Sequence, residues 1–236
     1  MSRFDLIAFD ADDTLWENER LYAGVQAKFI ALLAQHDHSP EWIKERLYQA
    51  ETRNLEHFGY GLKAFALSMI ETAVELTEGK ISGQELQILV YLAKEMLPPR
   101  MELLEGAQET INLLKNRYSL MLLTKGDLFE QETKIARSGL DGCFRHIEIV
   151  SQKSDSVYSS LLAKYSVPPE RFLMVGNSPR SDILPVLEIG GYAVYIPHEL
   201  TWQHEHADPP PAGLPGFYQL ESLRSLPTLL EQIEGD

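Results

Sequence analysis

The 236-residue sequence contains a single cysteine, Cys143, so no disulfide can form within the chain. It also lacks long hydrophobic runs, because its apolar stretches fall far short of the roughly 20 residues that a membrane-spanning helix needs. Its first residues carry charge where a secretory leader would need an apolar segment. These absences favour a reducing compartment, and we expect a soluble, cytoplasmic protein without membrane partners.

Basic residues are scarce, with 21 Lys and Arg against 35 Asp and Glu, and the formal net charge is −14. Such a surface repels the phosphates of DNA, RNA and anionic lipid, so we expect no nucleic-acid partner. A phosphorylated small molecule can still bind, provided that positive charge is supplied locally. A metal ion or a suitably placed lysine would supply it.

With 44% hydrophobic residues, the chain can bury a sizeable core. Short apolar runs typical of buried parallel strands alternate with segments of helical periodicity. This alternation predicts an α/β fold, a doubly wound parallel sheet with helices on both faces. The predicted strands are 4–9, 118–123, 146–150 (the weakest), 171–175 and 192–196, and the predicted helices of this part are 106–116, 128–138, 154–165, 183–189 and about 223–233.

The interval 16–98 differs from the rest, because it shows helical periodicity and no convincing strand. Pro98 and Pro99 end it and indicate a boundary. We therefore expect an α/β core domain of residues 1–15 and 99–236, interrupted after its first strand by an all-helical domain. One predicted helix of the insertion carries an apolar stripe at three- and four-residue spacing, formed by Leu21, Val25, Phe29 and Leu32.

Polar residues follow four of the predicted strands. The carboxyl ends of parallel strands lie at one edge of a sheet, where α/β proteins bind their ligands. We therefore expect these side chains to converge on one site. They are Asp10 and Asp12 after the first strand, Thr124 at the end of the second, Lys153 after the third, and Asn177 and Asp182 after the fourth.

This set of side chains is suited to phosphoryl transfer. Asp10 and Asp12 would repel each other at close range, so a cation is expected between them, and Mg²⁺ accepts such oxygen ligands. Asp182 could add an acidic ligand, Lys153 could neutralise the remaining charge, and Thr124 could bind a phosphoryl oxygen. One carboxylate can attack phosphorus, while a second exchanges protons with the leaving group and with water.

The four segments resemble, in order and in spacing, the four motifs of the haloacid dehalogenase (HAD) superfamily. Residues 10–15 match its first motif, Asp-X-Asp-X-Thr. Thr124 matches the second motif, Lys153 the third, and residues 176–182 the fourth. The helical insertion at 16–98 resembles the helical (C1-type) cap of the superfamily, so the resemblance extends over nearly the whole chain.

The resemblance implies a magnesium-dependent phosphomonoesterase that acts on a small soluble phosphorylated metabolite through an aspartyl-phosphate intermediate. Asp10 would be the nucleophile, and Asp12 would be the general acid and base, with its backbone carbonyl on Mg²⁺. The predicted site residues are Asp10, Asp12, Thr124 and Lys153 for catalysis, Lys125, Gly126 and Thr14 for substrate binding, and Asp10, Asp12, Asp182 and Asn177 for the metal.

Asn177 departs from the superfamily pattern, in which the fourth motif usually starts with Gly-Asp. An amide oxygen can bind a metal ion but brings no charge, which supports a catalytically weak or inactive binding or regulatory module as an alternative. A haloacid dehalogenase is a second alternative, although it has no use for Asp12 as an acid. A phosphomutase is a third, and Thr14 favours a hydrolase over it.

Three histidines near the C-terminus, His198, His204 and His206, match no common zinc-binding pattern, and no cysteine is nearby. We interpret their segment as polar surface. Ser181, in the fourth matching segment, is interpreted as a helix-capping residue. The Lys125 side chain could contact either substrate or solvent.

Overall fold

Six strands form one sheet in the computed structural model, which describes residues 2–235. They are β1 (Leu6–Phe9), β2 (Leu120–Lys125), β3 (His146–Val150), β4 (Phe172–Gly176), β5 (Tyr192–Tyr195) and β6 (Phe217–Gln219). All neighbouring pairs are parallel, in the order β3-β2-β1-β4-β5-β6. This order is that of a doubly wound sheet, so the predicted fold class is confirmed.

Helices connect the strands and also fill the long interval after β1. Side chains cap the starts of several helices: Ser39 accepts a hydrogen bond from the Trp42 N–H, Ser82 forms a capping box with Glu85, and Ser154 accepts from the Val157 N–H. No helix among residues 2–235 has the length and apolar character that a membrane span requires. The helices are α1 (Glu19–Leu33), α2 (Pro40–Phe58), α3 (Leu62–Leu76), α4 (Gly83–Glu95), α5 (Ala107–Leu114), α6 (Leu128–Ser138), α7 (Asp155–Tyr165), α8 (Leu184–Glu188) and α9 (Leu226–Gly235).

Successive residues of a strand point to opposite faces of the sheet, and β1 therefore contributes to two separate cores. Leu6 and Ala8 belong to a buried cluster that includes side chains of α7 and α8. Ile7 and Phe9 belong to another cluster that includes side chains of α5 and α9. Helices thus cover both faces, and the end of β1 is held between two apolar layers.

The chain divides into two compact units. The first contains the sheet and consists of the residues up to Glu19, Arg100–Lys125 and the residues from Ile135 onwards. The second consists of Arg20–Pro99 and Gly126–Lys134. Trp16, placed by the sequence in the helical domain, belongs to the first unit because its fully buried side chain packs in a core of the sheet.

The second unit has its own apolar core, formed by α1 to α4. The start of α6 belongs to this unit and is joined to α3 by polar contacts. Glu130 accepts a hydrogen bond from the Leu62 N–H at 2.6 Å and pairs with the buried Lys134 at 2.8 Å. Lys63 pairs with Asp127 at 2.9 Å. A carboxylate at the N-terminus of α3 is favourable there, because the helix leaves N–H groups without intrahelical partners.

The strand β6 was not predicted from the sequence. It consists of three residues, Phe217–Gln219, and pairs with β5 in parallel. It lies one residue beyond the proline-rich segment 208–215, for which no strand is predicted. A segment of this length is too short to show an alternating pattern, so its strand conformation depends on pairing with β5.

Truncation of a buried leucine in β2 should destabilise the first unit. Leu122 is fully buried between the paired strands β1 and β3, and we expect Leu122→Ala to lower the free energy of unfolding by about 2–5 kcal/mol. Leu113→Ala is the matched control, since Leu113 on α5 is 54% exposed. Urea denaturation checks both variants, and equal losses would contradict the described core.

Candidate active site

The ends of β1, β3 and β4 bring three charged side chains into one buried cluster. The Lys153 ammonium, just beyond β3, lies 2.5 Å from Oδ1 of Asp10, which directly follows β1. The same nitrogen lies 2.7 Å from Oδ1 of Asp182, in the turn after β4. The side chains of Lys153 and Asp182 are 1% and 0% exposed, so one buried cation bridges two carboxylates. Such burial requires pairing, because an isolated charge is very costly to desolvate.

Two carboxylates share one ammonium in this cluster. Burial raises the pKa of Asp10 to about 7, because its effect outweighs the attraction of Lys153, and the Asp182 carboxylate adds to the rise. Burial also opposes the charge of Lys153, but attraction by the two carboxylates outweighs it and leaves the pKa of Lys153 raised. A further cation beside Asp10 would favour its ionised form.

Thr14 links Asp10 to Asn177, the residue that directly follows β4. Its hydroxyl oxygen lies 3.0 Å from Oδ2 of Asp10 and 3.3 Å from Oδ1 of Asn177. A hydroxyl has one hydrogen and can donate to only one of these oxygens at a time. Carboxylate and amide oxygens are ligands that Mg²⁺ accepts, so the chemistry of this donor pair fits a magnesium ion.

The turn after β4 holds Asp182 through contacts that require Gly176. Oδ2 of Asp182 accepts a hydrogen bond from the Ser178 N–H at 3.0 Å. A Cβ at position 176 would lie 2.3 Å from the same oxygen, so only glycine allows this approach. The cap of the π-helical turn Pro179–Ile183 is Ser178, whose hydroxyl accepts from the Ser181 N–H. The capping role predicted for Ser181 is therefore wrong.

The other predicted site residues lie at the ends of β1 and β2. Asp12 is half-buried, and its carboxylate accepts a hydrogen bond from the Trp16 indole N–H at 2.7 Å. Thr124 is buried in β2, which neighbours β1. Gly126 has a φ of +142°, a conformation that favours glycine, and a Cβ there would lie 3.1 Å from Nε2 of Gln131.

Lys125, at the end of β2, pairs with Glu205, a residue that the sequence analysis did not select. The Lys125 ammonium also lies 2.9 Å from the Ser181 hydroxyl. Oε2 of Glu205 accepts hydrogen bonds from the hydroxyls of Ser178 and Ser181, at 2.8 and 2.6 Å. The segment that supplies Glu205 was interpreted as polar surface. A single glutamate in a three-residue 3₁₀ helix, Gln203–Glu205, carries no periodicity or motif spacing that could have indicated these contacts.

A second group of possible metal ligands consists of Asp13, Glu17 and His198, whose ligand atoms lie within 4.8 Å of one another. The His198 ring lies 3.8 Å from Asp13 and 3.5 Å from Glu17, and its side chain is about 10% exposed. His198 is therefore not the surface residue that the sequence predicted. The Asp13 carboxylate also accepts hydrogen bonds from the N–H groups of Asn18 and Glu19 at the start of α1. The group thus joins the loop after β1 to the segment after β5.

Replacement of Lys153 by methionine should destabilise the metal-free protein by about 3–5 kcal/mol, because Asp10 and Asp182 would lose their shared cation. The pKa of Asp10 is raised from 3.8 to about 7, so the folded state binds a proton that the unfolded state releases between these values. The stability contributed by this group therefore falls as the pH rises from about 4 to about 7. Lys153→Met should steepen that fall.

Thermal denaturation in chelator across this pH range measures both effects. Lys164→Met is the matched control, since the Lys164 side chain is 59% exposed and its loss should leave stability nearly unchanged. A pH-independent loss in Lys153→Met would contradict the described charge cluster.

Comparison with known proteins identifies the family. The family model of haloacid dehalogenase-like hydrolases matches residues 4–190. The chain is 26% identical to the glyceraldehyde 3-phosphate phosphatase of Pyrococcus furiosus, covering 100% of this chain and 95% of that protein. It is 23% identical to the pyrimidine 5'-nucleotidase YjjG of Escherichia coli, covering 97% and 98%. The crystal structure of a haloacid dehalogenase-like family hydrolase from Xanthomonas campestris matches with a TM-score of 0.87 and 37% identity, covering 99% of this chain and 93% of that one. Because the family model spans most of the sequence, the chain belongs to the haloacid dehalogenase-like hydrolases.

Proposed function

We propose that this hydrolase is a magnesium-dependent phosphomonoesterase that acts on a small phosphorylated metabolite, with Asp10 as its nucleophile. The observation that carries the proposal is the position of Asp10, whose two oxygens contact Lys153 and Thr14, with the Asn177 amide oxygen beside them. This arrangement orients the Asp10 carboxylate, and the Thr14 hydroxyl connects it to the amide oxygen of Asn177. Two relatives named as a phosphatase and a nucleotidase support a phosphomonoester substrate.

Asp10 and Asn177, together with the backbone carbonyl of Asp12, are the residues that would hold Mg²⁺. Bound there, Mg²⁺ would neutralise charge on the phosphoryl oxygens. We assign Asp182 a different role, since its two carboxylate oxygens already accept from Lys153 and from the Ser178 N–H. Asp182 thereby orients Lys153, which in turn holds Asp10.

The reaction proceeds in two displacements. A carboxylate oxygen of Asp10 forms a bond to phosphorus while the bond from phosphorus to the leaving oxygen breaks. Asp12 gives a proton to that leaving oxygen and then, as a carboxylate, takes a proton from the water that attacks the aspartyl-phosphate. Attack by water breaks the bond between phosphorus and the Asp10 oxygen, and it regenerates the free carboxylate together with inorganic phosphate.

Lys153 and Thr14 orient Asp10 before the reaction, since each contacts one of its two oxygens. Fixing the nucleophile in advance reduces the entropy lost on reaching the transition state. The Thr124 hydroxyl and the backbone N–H groups of Lys125 and Gly126 are proposed to donate hydrogen bonds to the phosphoryl oxygens.

A binding or regulatory module with weak catalysis is the second candidate, and the neutral side chain of Asn177 favours it. A carboxylate at this position would attract Mg²⁺ more strongly than an amide does. A dehalogenase function is less well supported, because Asp12 would have no role as an acid. Phosphate release and calorimetry with Mg²⁺ separate these possibilities.

Phosphate release from a panel of small phosphomonoesters should require both Mg²⁺ and Asp10. We expect Asp10→Asn to lower kcat by about 10⁴-fold or more, as removal of the nucleophile does in other enzymes. We expect Asp12→Asn to lower kcat by about 10²–10⁴-fold, because it removes a general acid and base. Asp141→Asn, at an exposed position that precedes β3, is the matched control. Turnover by Asp10→Asn would refute the assignment of Asp10 as the nucleophile. A 2-haloacid is included in the panel, and release of halide from it would favour a dehalogenase.

Asn177→Asp should change metal affinity and metal-free stability in opposite directions. A carboxylate there would attract Mg²⁺ more strongly, so the dissociation constant measured by calorimetry should fall. In chelator the same carboxylate would repel Asp10, with which Asn177 shares the Thr14 hydroxyl, so the melting temperature should fall. Tight Mg²⁺ binding by the variant together with none by the wild type would favour the weak module.

A further inference from the structure

A carboxylate outside the four matching segments connects the two strand ends that flank β1. In the sheet, β1 lies between β2 and β4. Glu205 pairs with Lys125 at the end of β2 and accepts hydrogen bonds from Ser178 and Ser181 in the turn after β4. The Lys125 ammonium contacts Ser181 directly at 2.9 Å. These contacts therefore bridge the strand ends on either side of the strand that leads to Asp10.

Both carboxylate oxygens of Glu205 have donors. Oε1 faces the Lys125 ammonium, and Oε2 accepts from two hydroxyls, while the side chains of Glu205 and Lys125 are only 12% and 18% exposed. Burial raises the pKa of Glu205, but the charge of Lys125 and the hydrogen bonds outweigh it and leave this pKa lowered. Glu205 is thus ionised near neutral pH, and removing either charge of this largely buried pair would leave the other one uncompensated.

The two serines sit next to the two fourth-motif side chains of the site. Ser178 follows Asn177, and Ser181 precedes Asp182. Within the turn, the Ser178 hydroxyl accepts from the Ser181 N–H, and the Ser178 N–H donates to the Asp182 carboxylate. Glu205 therefore contacts the turn at two positions, its N-cap Ser178 and the internal residue Ser181.

We propose that Glu205 is a positioning residue that acts together with Lys125 to hold the turn after β4, and thereby Asn177, in the geometry that binds Mg²⁺. This inference rests on the proposed function, since it takes Asn177 as a metal ligand. Residues that fix the ligands of a metal site typically change metal affinity by about 10- to 100-fold when they are replaced. On this account, the side chain of Lys125 contributes by pairing with Glu205 rather than by contacting phosphate.

The alternative role of Lys125 makes a different prediction. A lysine that binds the phosphoryl group would be released from its partner when Glu205 is neutralised, so Glu205→Gln would leave KM unchanged or lower it. Lys125→Met would then raise KM even at saturating Mg²⁺. If the pair positions the turn, either substitution weakens Mg²⁺ binding. The double variant then binds Mg²⁺ no more weakly than the single variants, because both substitutions break the same pair.

The test compares Glu205→Gln, Lys125→Met and their double variant with the wild type. Glu199→Gln is the matched control, since Glu199 is an exposed glutamate of the same connecting segment. Calorimetry gives the Mg²⁺ dissociation constant without turnover, and steady-state kinetics at saturating Mg²⁺ give kcat and KM. We expect the dissociation constant to rise by about 10- to 100-fold in all three variants and to stay unchanged in the control. At saturating Mg²⁺, kcat and KM should return close to wild-type values.

An unchanged Mg²⁺ dissociation constant in folded Glu205→Gln would overturn the positioning role, even if the melting temperature falls. A raised KM in Lys125→Met at saturating Mg²⁺ would overturn it as well. If Glu205→Gln does not fold, Ser181→Ala removes one of its contacts and should weaken Mg²⁺ binding in the same direction. A wild type that binds Mg²⁺ but hydrolyses no phosphomonoester would refute the proposed function alone, whereas a wild type that binds no Mg²⁺ would refute both.

Discussion

The buried ammonium of Lys153 is the group on which the arrangement of the site depends. It contacts Asp10 and Asp182, and each of the three residues follows a different strand. The contact with Asp10 constrains the fold, because β3 and β1 are separated in the sheet by β2. Neighbouring strands lie about 4.8 Å apart, so β3 and β1 are separated by roughly 10 Å. The side chains of Lys153 and Asp10 together bridge this distance across the end of β2. Without it, two carboxylates would remain in a buried site that has no cation to stabilise them.

The neutral side chain of Asn177 changes the charge of the site under the proposed function. Asp10 and Asp182 carry two negative charges, and Lys153 offsets one of them. With Mg²⁺ bound, these groups together would carry a net positive charge, which would attract a phosphate dianion. An aspartate at position 177 would cancel that excess. The amide therefore favours binding of the substrate anion at the expense of metal affinity, and it does so in a chain whose net charge of −14 opposes anions at long range.

The sequence predicted the elements that have local patterns and missed the features that depend on long-range pairing. The apolar runs at 4–9 and 171–175 correspond to β1 and β4, because buried parallel strands are continuously hydrophobic. The convergence of polar residues followed from the parallel sheet. The pairing of Lys153 with Asp182, by contrast, has no local signal. Likewise, Trp16 reads as part of a helical interval, yet its indole is buried in the core of the first unit. Trp16 belongs to the first unit because of its tertiary packing, which the periodicity of the sequence does not indicate.

The pair of Lys125 and Glu205 raises the question of why a site proposed to bind phosphate would contain a further carboxylate. Either charge alone would be costly to desolvate, because the side chains of Lys125 and Glu205 are only 18% and 12% exposed. Paired, they present little net charge and can crosslink two strand ends through the hydroxyls of Ser178 and Ser181. Loops at strand ends are otherwise the mobile part of an α/β site. Removing one partner of such a pair leaves an uncompensated charge, and so the two residues are expected to change together if they change at all.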